Sequence, residues 1–431
     1  MLKQWLTKFE LKQHGTSVKQ EFAAGMVGFL TCAYIVAINS TILADAGIPL
    51  AGAALATILT SAIGCIVMGL WSNMPIMLIP GMGINAMFTF TFVQSAGLSW
   101  QEALAVVFVS GLLFMVVAFT QLADLLNETI PDALKHAITA GIGLFLAFIG
   151  LQKGGLLVAH PETFLQLAPL SEAMPLATLC TLGVAMALYA RQIPGHFLWT
   201  IVIGIGIGLL VGVETSGSVI NLSQTNYSEV FGQFSFQMVG TVTFWTSVFA
   251  LTMVLTFENI GLISGYTSVL KRPDKSKRAL QANAVSAMSA GVFGTSPTVS
   301  TAETAAALSA GGKTGLTAVV TGGLFALTVL ILPFLAYIPD SAIAPVLIIV
   351  GGLMMTQLRF VSFDDFLSWF PAYMVVVLIP LTHSIADGIA FGFVLYPLIH
   401  ILAGKMRGVS VTMYIIGLLF FIHLLFSALS L

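Results

Sequence analysis

Charge is what this sequence has least of. Lysine, arginine, aspartate and glutamate together make up 8% of its 431 residues, where a soluble domain carries about 25%. That excludes a soluble body. Cysteine is scarce too: Cys32, Cys65 and Cys180 stand apart in apolar segments without a CxxC spacing, which leaves no disulfide framework or thiolate metal centre. They read as reduced core residues. A net charge of −2 and the lack of a basic tract give no reason to expect nucleic acid as a partner. The residue-by-residue alternation of a membrane barrel is missing as well. Nothing calls for a cofactor. Gly311-Gly-Lys-Thr314 resembles the end of a phosphate-binding loop, but Ala307 stands where that loop needs its first glycine.

What is present is apolar sequence in blocks. Hydrophobic residues make up 58% of the chain, and mean hydropathy is +0.99. Apolar segments fall at 22–43, 51–71, 74–94, 102–121, 133–152, 174–191 and 196–213. A second set falls at 241–265, 279–294, 296–312, 315–337, 341–357, 370–386 and 388–404. Each is near the ~20 residues that cross a bilayer, or shorter where a helix is interrupted. The reading is an all-α polytopic membrane protein of fourteen spans, with an extra C-terminal apolar segment at 409–431. The N-terminus carries Lys3, Lys8, Lys12 and Lys19 ahead of the first span. It is too long and polar for a signal peptide, so that span is expected to be retained.

Positive charge orients the spans. With the N-terminus cytoplasmic, Lys271-Arg-Pro-Asp-Lys-Ser-Lys-Arg278, Arg191, Lys313, Arg359, Lys405 and Arg407 all fall inside. The longest connection, Val213 to Val239, falls outside and holds no lysine or arginine. Lys153 is the exception.

The chain also repeats. Ala103-Leu-Ala-Val-Val-Phe-Val-Ser-Gly-Leu-Leu-Phe114 resembles Leu316-Thr-Ala-Val-Val-Thr-Gly-Gly-Leu-Phe325, and Pro131-Asp132 resembles Pro339-Asp340. Pro80-Gly-Met-Gly-Ile-Asn85 occupies the place of Pro297-Thr-Val-Ser-Thr-Ala-Glu303. Seven spans per half would turn the second copy upside down, which is a 7+7 inverted-repeat transporter plan. Substrate is then expected near the midplane, between helices broken at equivalent places. Spans 3 and 10 carry those breaks, at Pro75, Pro80, Gly81 and Gly83, and at Gly294 and Pro297. Extended backbone at such depth is tolerated inside protein or beside a cavity, and a half-helix after each break aims N–H groups into it. Gly204, Gly206 and Gly208 in span 7 are read as a close helix contact.

Two carboxylates lie deep in apolar sequence, Glu258 in span 8 and Glu303 just past the second break. A charge there costs about 2.5–3.5 kcal/mol even on the lenient insertion scale, so such residues usually face a functional cavity. Two acceptors suit a neutral ligand rich in N–H donors and repel an anion. A carboxyl in apolar surroundings is also a candidate proton carrier. Asn85 offers a donor and an acceptor at the first break. His383 and Asp387, four apart, read as neighbours on one helix face at the end of a span, and an exposed pair is the reading preferred over a proton relay.

At these residues the sequence resembles a known family. Pro80-Gly-Met-Gly-Ile-Asn85-Ala, Gly294-Thr-Ser-Pro-Thr-Val-Ser-Thr-Ala-Glu303-Thr-Ala, Gly311-Gly-Lys-Thr-Gly-Leu-Thr-Ala-Val-Val320 and Pro380-Leu-Thr-His-Ser-Ile-Ala-Asp-Gly-Ile-Ala-Phe-Gly-Phe393 look like the AzgA-like purine permeases. These are a branch of the nucleobase–ascorbate transporter (NCS2) superfamily. The resemblance implies a uracil-permease-like fold with short strands in spans 3 and 10. It also implies a core domain from residues 1–125 and 236–338 (spans 1–4 and 8–11) and a gate domain from 126–235 and 339–404 (spans 5–7 and 12–14), with 405–431 left over. Glu258, Glu303 and Asn85 match the family's base-binding positions, with a half-helix N–H near Ala302 opposite. Proton symport, often in homodimers, is what the family implies. Short termini and the lack of glycosylation-rich loops point to a bacterial inner membrane. One departure stands out: the AzgA-like branch usually has Asp-Thr-Ala-Gly in span 8, and this chain has Glu258-Asn-Ile-Gly261. That is closer to the Glu-His-Val-Gly of the uracil and xanthine branch, and the longer side chain reaches further into a pocket.

The expected function is thus secondary import of hypoxanthine, guanine or adenine. Its rivals are uracil or xanthine on the same fold, an anion carrier, and an intramembrane enzyme using the two carboxylates as a dyad. Lys313 is the only cation near either break, which argues against the anion. Glutamates rather than aspartates, and the matched breaks, argue against the enzyme.

Overall fold

A computed structural model describes residues 7–120, 122–213 and 226–429. Residues 214–225, the middle of the long connection, lie outside it, as does Lys3. Among the described residues, nine helices are long and apolar enough to cross a membrane, and three shorter apolar helices accompany them. The chain is a multi-pass membrane protein.

The first half opens with α1 (Val18–Cys32) and α2 (Tyr34–Asp45), one span interrupted at Ala33, followed by α3 (Leu50–Ser72). Strand β1 (Leu78–Pro80) and α4 (Met82–Ala86) lead into a π-helix, Met87–Ser95. Then come α5 (Trp100–Phe119), a short α6 (Leu122–Thr129), α7 (Asp132–Lys153), α8 (Ala173–Ala190) and α9 (His196–Val211). A hairpin, β2 (Leu157–His160) and β3 (Phe164–Leu167), sits between α7 and α8. The second half runs α10 (Val242–Val269), α11 (Ser276–Phe293), β4 (Thr298–Ser300), α12 (Thr304–Ser309), α13 (Gly315–Leu327), α14 (Asp340–Met355), α15 (Phe366–Thr382) and α16 (Ile385–Leu402). The C-terminal apolar segment is a helix, α17 (Val411–Leu429), packed on α16 and α10.

Packing follows the repeat. The α3–α13 contact in one direction has its counterpart in α11–α5, α1–α13 in α10–α5, α15–α7 in α8–α14, and α15–α16 in α8–α9. The pair that maps onto itself, α7 with α14, packs most extensively. Pro131 and Pro339 precede the first residue of these two helices in extended conformation, where a missing N–H costs nothing. At the centre β1 pairs antiparallel with β4, Leu78 to Ser300, Ile79 to Val299 and Pro80 to Thr298. The two breaks therefore meet across a local two-fold axis.

Small residues let these helices touch. A Cβ built on Gly69 would lie 2.3 Å from the Gly315 carbonyl oxygen, so α3 and α13 cross backbone to backbone there. In α9 the expected glycine contact holds at two of three positions. Gly204 faces Ala342 and Thr181, Gly208 faces Pro339, and Gly206 meets nothing within 4 Å. Residues two apart on a helix point in different directions, whereas those four apart share a face.

The Gly311-Gly-Lys-Thr loop does hold a carboxyl group, the protein's own. The fully buried Glu21 accepts from Lys313 N–H at 3.1 Å, Thr314 N–H at 3.2 Å and the Thr317 hydroxyl at 2.6 Å. Lys153 also finds its reason. Its ammonium lies 2.7 Å from Asp45 and 3.6 Å from Asp340, so two carboxylates meet a cation that the charge rule alone leaves misplaced.

Candidate functional site

The site forms where β1 and β4 cross. Proline and glycine at 75, 80, 81 and 297 end the helices on either side, and the freed backbone pairs strand to strand, as buried polar backbone must. Neighbouring side chains take up the rest. Cys65 Sγ lies 3.3 Å from both the N–H and the carbonyl oxygen of Leu78. Met77 N–H donates to Thr304 at 3.1 Å, and Ser286 bonds Thr298 at 2.7 Å.

Asn259 clamps β4 to α10. Its Oδ1 accepts from Ser300 N–H at 2.8 Å while its Nδ2 donates to Leu255 O at 2.7 Å. The residue that replaces the other branch's histidine is thus occupied in holding the strand. Asn85 is fully buried, and its Oδ1 accepts from the Ser296 hydroxyl at 2.5 Å. Ser296 also lies 3.3 Å from Asn39 Oδ1, and Asn39 donates to Thr295 at 2.9 Å and Thr57 at 2.7 Å. This knot ties α2, α3, α4 and the second break together. Asn85 Nδ2 is left without a partner among the described residues.

Glu258, on α10, and Glu303, at the turn between β4 and α12, are both partly exposed. Glu303 Oε1 accepts from the Tyr34 hydroxyl at 2.5 Å. Tyr266, also on α10, donates to the Thr301 carbonyl at 2.7 Å and so fixes the backbone of the same turn. The Glu258 carboxyl has no hydrogen-bond donor from the protein among the described residues. Ala302 is exposed, and its N–H meets no backbone carbonyl there.

Lys313, the cation nearest the second break in sequence, turns to the surface and bonds Gly15 O at 3.3 Å. His383 and Asp387 do not share a helix. His383 ends α15 with φ +54° and is exposed, with its ring against Phe145 and Phe148, while Asp387 sits in the first turn of α16. The left-handed residue breaks the four-residue spacing. Cys32 and Cys65 are buried as expected, but Cys180 is exposed on the outside of the bundle. A separate apolar cleft of about 390 Å³ between α5, α10 and α17, lined by Leu113, Trp245, Phe249 and Phe420 among others, holds no titratable group.

A family model described as "Permease family" (Xan_ur_permease) matches residues 19–391. The chain belongs to this permease family, within the NCS2 superfamily whose AzgA-like branch its motifs resemble. Among curated relatives it is 44% identical to the nucleobase transporter PlAzg2 of Paenibacillus larvae over 383 residues, covering 88% of this chain and 77% of that protein. It is 36% identical to the guanine/hypoxanthine permease PbuG of Bacillus subtilis over 442 residues, covering 97% and 99%. Among solved structures, the transmembrane domain of the cyanobacterial bicarbonate transporter BicA superposes with a TM-score of 0.69 at 15% identity, covering 85% of this chain and 96% of that one. The uracil-permease-like inverted-repeat fold is thus shared with an anion transporter.

Sequence reasoning missed Tyr34, Tyr266, Asn39 and Ser296. Ser296 was visible in the polar run at the second break, and Asn39 as a lone amide in an apolar span. The tyrosines carry no such signal.

Proposed function

We propose that this permease is a secondary transporter importing purine nucleobases, guanine, hypoxanthine or adenine, by proton symport across a bacterial inner membrane, with its N-terminus cytoplasmic. The observation that carries the reading is the pair of carboxylates beside the crossed strands. Such a pair accepts N–H donors and repels anions, so the anion chemistry of a fold relative does not transfer. The names of the curated relatives support the substrate class. Glu258 and Glu303 would take the ring N–H edges, and the N–H near Ala302 and the free Asn85 amide would serve acceptor atoms. Either carboxylate would carry the coupled proton. The spans 1–4 and 8–11 would form the core that holds the base, and spans 5–7 and 12–14 the gate against which it moves.

Thermal stabilisation and uptake test this together. Guanine, hypoxanthine, adenine, xanthine and uracil are added to the purified protein and to Glu258→Gln and Glu303→Gln. A ligand at a hundred times its Kd contributes about 2.7 kcal/mol. The expected result is a shift with a purine, smaller in both variants, and uptake into proteoliposomes driven by an inward proton gradient and abolished by an uncoupler. No shift with any base refutes the substrate class. Uptake that persists with the uncoupler refutes the coupling. One observation favours a second reading, uracil or xanthine: Glu258 stands where the purine branch usually has aspartate. The same panel separates the two.

A further inference from the structure

The two acceptors are not equivalent. Glu303 has one oxygen held by Tyr34 at 2.5 Å; the Glu258 carboxyl has no hydrogen-bond donor from the protein among the described residues. Tyr34 is 1% exposed and begins α2 at the interruption of span 1. Its ring meets Phe197 of α9 edge-on at 5.1 Å. A buried hydroxyl with a charged acceptor makes one of the stronger hydrogen bonds available to a protein. Tyr266 fixes the backbone of the Glu303 turn from the other side. Tyr34 thus anchors one oxygen of the carboxyl and Tyr266 the backbone turn that carries it, with Oε2 left over.

We propose that Tyr34 is a positioning residue that makes Glu303 a one-oxygen acceptor, leaving Glu258 as the two-oxygen acceptor of the site. Resting on the nucleobase reading above, this sets the ligand's orientation and preference. Guanine has two adjacent N–H donors, at N1 and the 2-amino group, on one edge and a single imidazole N–H on the other. The paired edge matches Glu258 and the single N–H matches Glu303. Hypoxanthine lacks the 2-amino donor. Adenine offers its amino N–H beside an acceptor nitrogen, which faces a carboxylate oxygen unfavourably. Phe197 holds the Tyr34 ring from α9, so the orientation of Glu303 is linked to the packing of that helix.

The test is equilibrium binding of radiolabelled guanine and hypoxanthine to the purified full-length protein, with Tyr34→Phe, Glu303→Gln and Glu258→Gln, and the Tyr34→Phe/Glu303→Gln double variant. Guanine is expected to bind wild type at least about tenfold more tightly than hypoxanthine, a preference that Glu258→Gln erases. Tyr34→Phe should weaken guanine about tenfold with the guanine/hypoxanthine ratio kept. In the Glu303→Gln background it should have no further effect, because it acts through that carboxylate. Uptake by Tyr34→Phe should show the loss in KM rather than in maximal rate. If Tyr34→Phe lowers the melting temperature but leaves guanine affinity unchanged, the hydroxyl is merely structural and the proposal falls. Equal affinity of wild type for guanine and hypoxanthine overturns the division between the carboxylates. Should Tyr34→Phe not fold, Phe197→Leu decides: it loosens the ring and keeps the hydroxyl. A smaller loss of guanine affinity, absent beside Glu303→Gln, supports the proposal, and unchanged affinity overturns it. Wild type that binds no base at all would instead refute the nucleobase reading itself.

Discussion

Lys153 lends itself to a quantitative test, because its charge joins elements that the transport reading assigns to different bodies. Its ammonium is 2.7 Å from Asp45, at the end of α2, and 3.6 Å from Asp340, at the start of α14. The lysine side chain is 14% exposed and the aspartates 31% and 39%, so the cluster is neither on the open surface nor fully dry. Exposed pairs contribute about 0.2–1 kcal/mol, and breaking a fully buried one costs about 3–5 kcal/mol. Lys153→Met keeps the stem and leaves two carboxylates facing each other, so a loss of about 1–2 kcal/mol is expected, between those limits. Melting entropy near 2.1 cal/mol/K per residue turns that into a fall of about 1–2 °C in Tm for a chain of this length. A double-mutant cycle with Asp45→Asn isolates the pair. Melting in detergent should show the double variant losing less than the sum of the singles. In the transport reading the bond also holds the core against the gate at the outer end, so Lys153→Met should change the uptake rate more than the affinity. Strictly additive losses with unchanged uptake would refute both claims.

Two further predictions come from packing. Gly69→Ala should destabilise by about 1–3 kcal/mol or more, since the new Cβ meets the Gly315 carbonyl oxygen at 2.3 Å. Gly323→Ala, on the same α13 with nothing within 4 Å, should be neutral or stabilising, because alanine is the better helix former. Equal melting of the two would refute the backbone crossing. Glu21→Gln turns one acceptor oxygen into a donor facing Thr314 N–H and the Thr317 hydroxyl. A loss of about 1–3 kcal/mol is expected on melting, against none for Glu162→Gln on the exposed hairpin loop.

What could be read from the sequence is what violates the rules of its own surroundings. Proline and glycine inside spans 3 and 10 mark broken helices because an intact helix has no use for them there. Glu258 and Glu303 stand out because a charge in hydrocarbon needs a reason. The structure brings both carboxylates to the crossing of β1 and β4, and both breaks are short strands. The interruption at Ala33 escaped because Thr31-Cys-Ala-Tyr34 has no helix breaker. Tyr34 escaped for a deeper reason: its partner is 269 residues away, and a tyrosine in an apolar run looks like any aromatic filling a core. Glu21 was overlooked because it sits near the start of a span, where a carboxylate usually meets water. Its three donors come from a loop and the first turn of α13, almost 300 residues on. The His383–Asp387 spacing misled because periodicity presumes a continuous helix, and the left-handed residue at 383 ends one.

The likeness to a bicarbonate transporter sharpens the argument from site to function. A shared fold at 15% identity shows the architecture and leaves the substrate to be argued from the site's own residues. In such a fold, half-helix ends and crossed strands present backbone N–H groups at the midplane, a setting that favours an anion by default. Here two carboxylates stand in that same setting, and Lys313 turns away to Gly15. Any anion arriving at the strands would meet charge of its own sign. On the purine reading, Glu258 and Glu303 set acceptors for N–H donors in that place. On that reading, the N–H groups that would hold an anion elsewhere serve the acceptor atoms of a neutral heterocycle, and a ligand with donors on two edges and acceptors between them is what the proposed site would select.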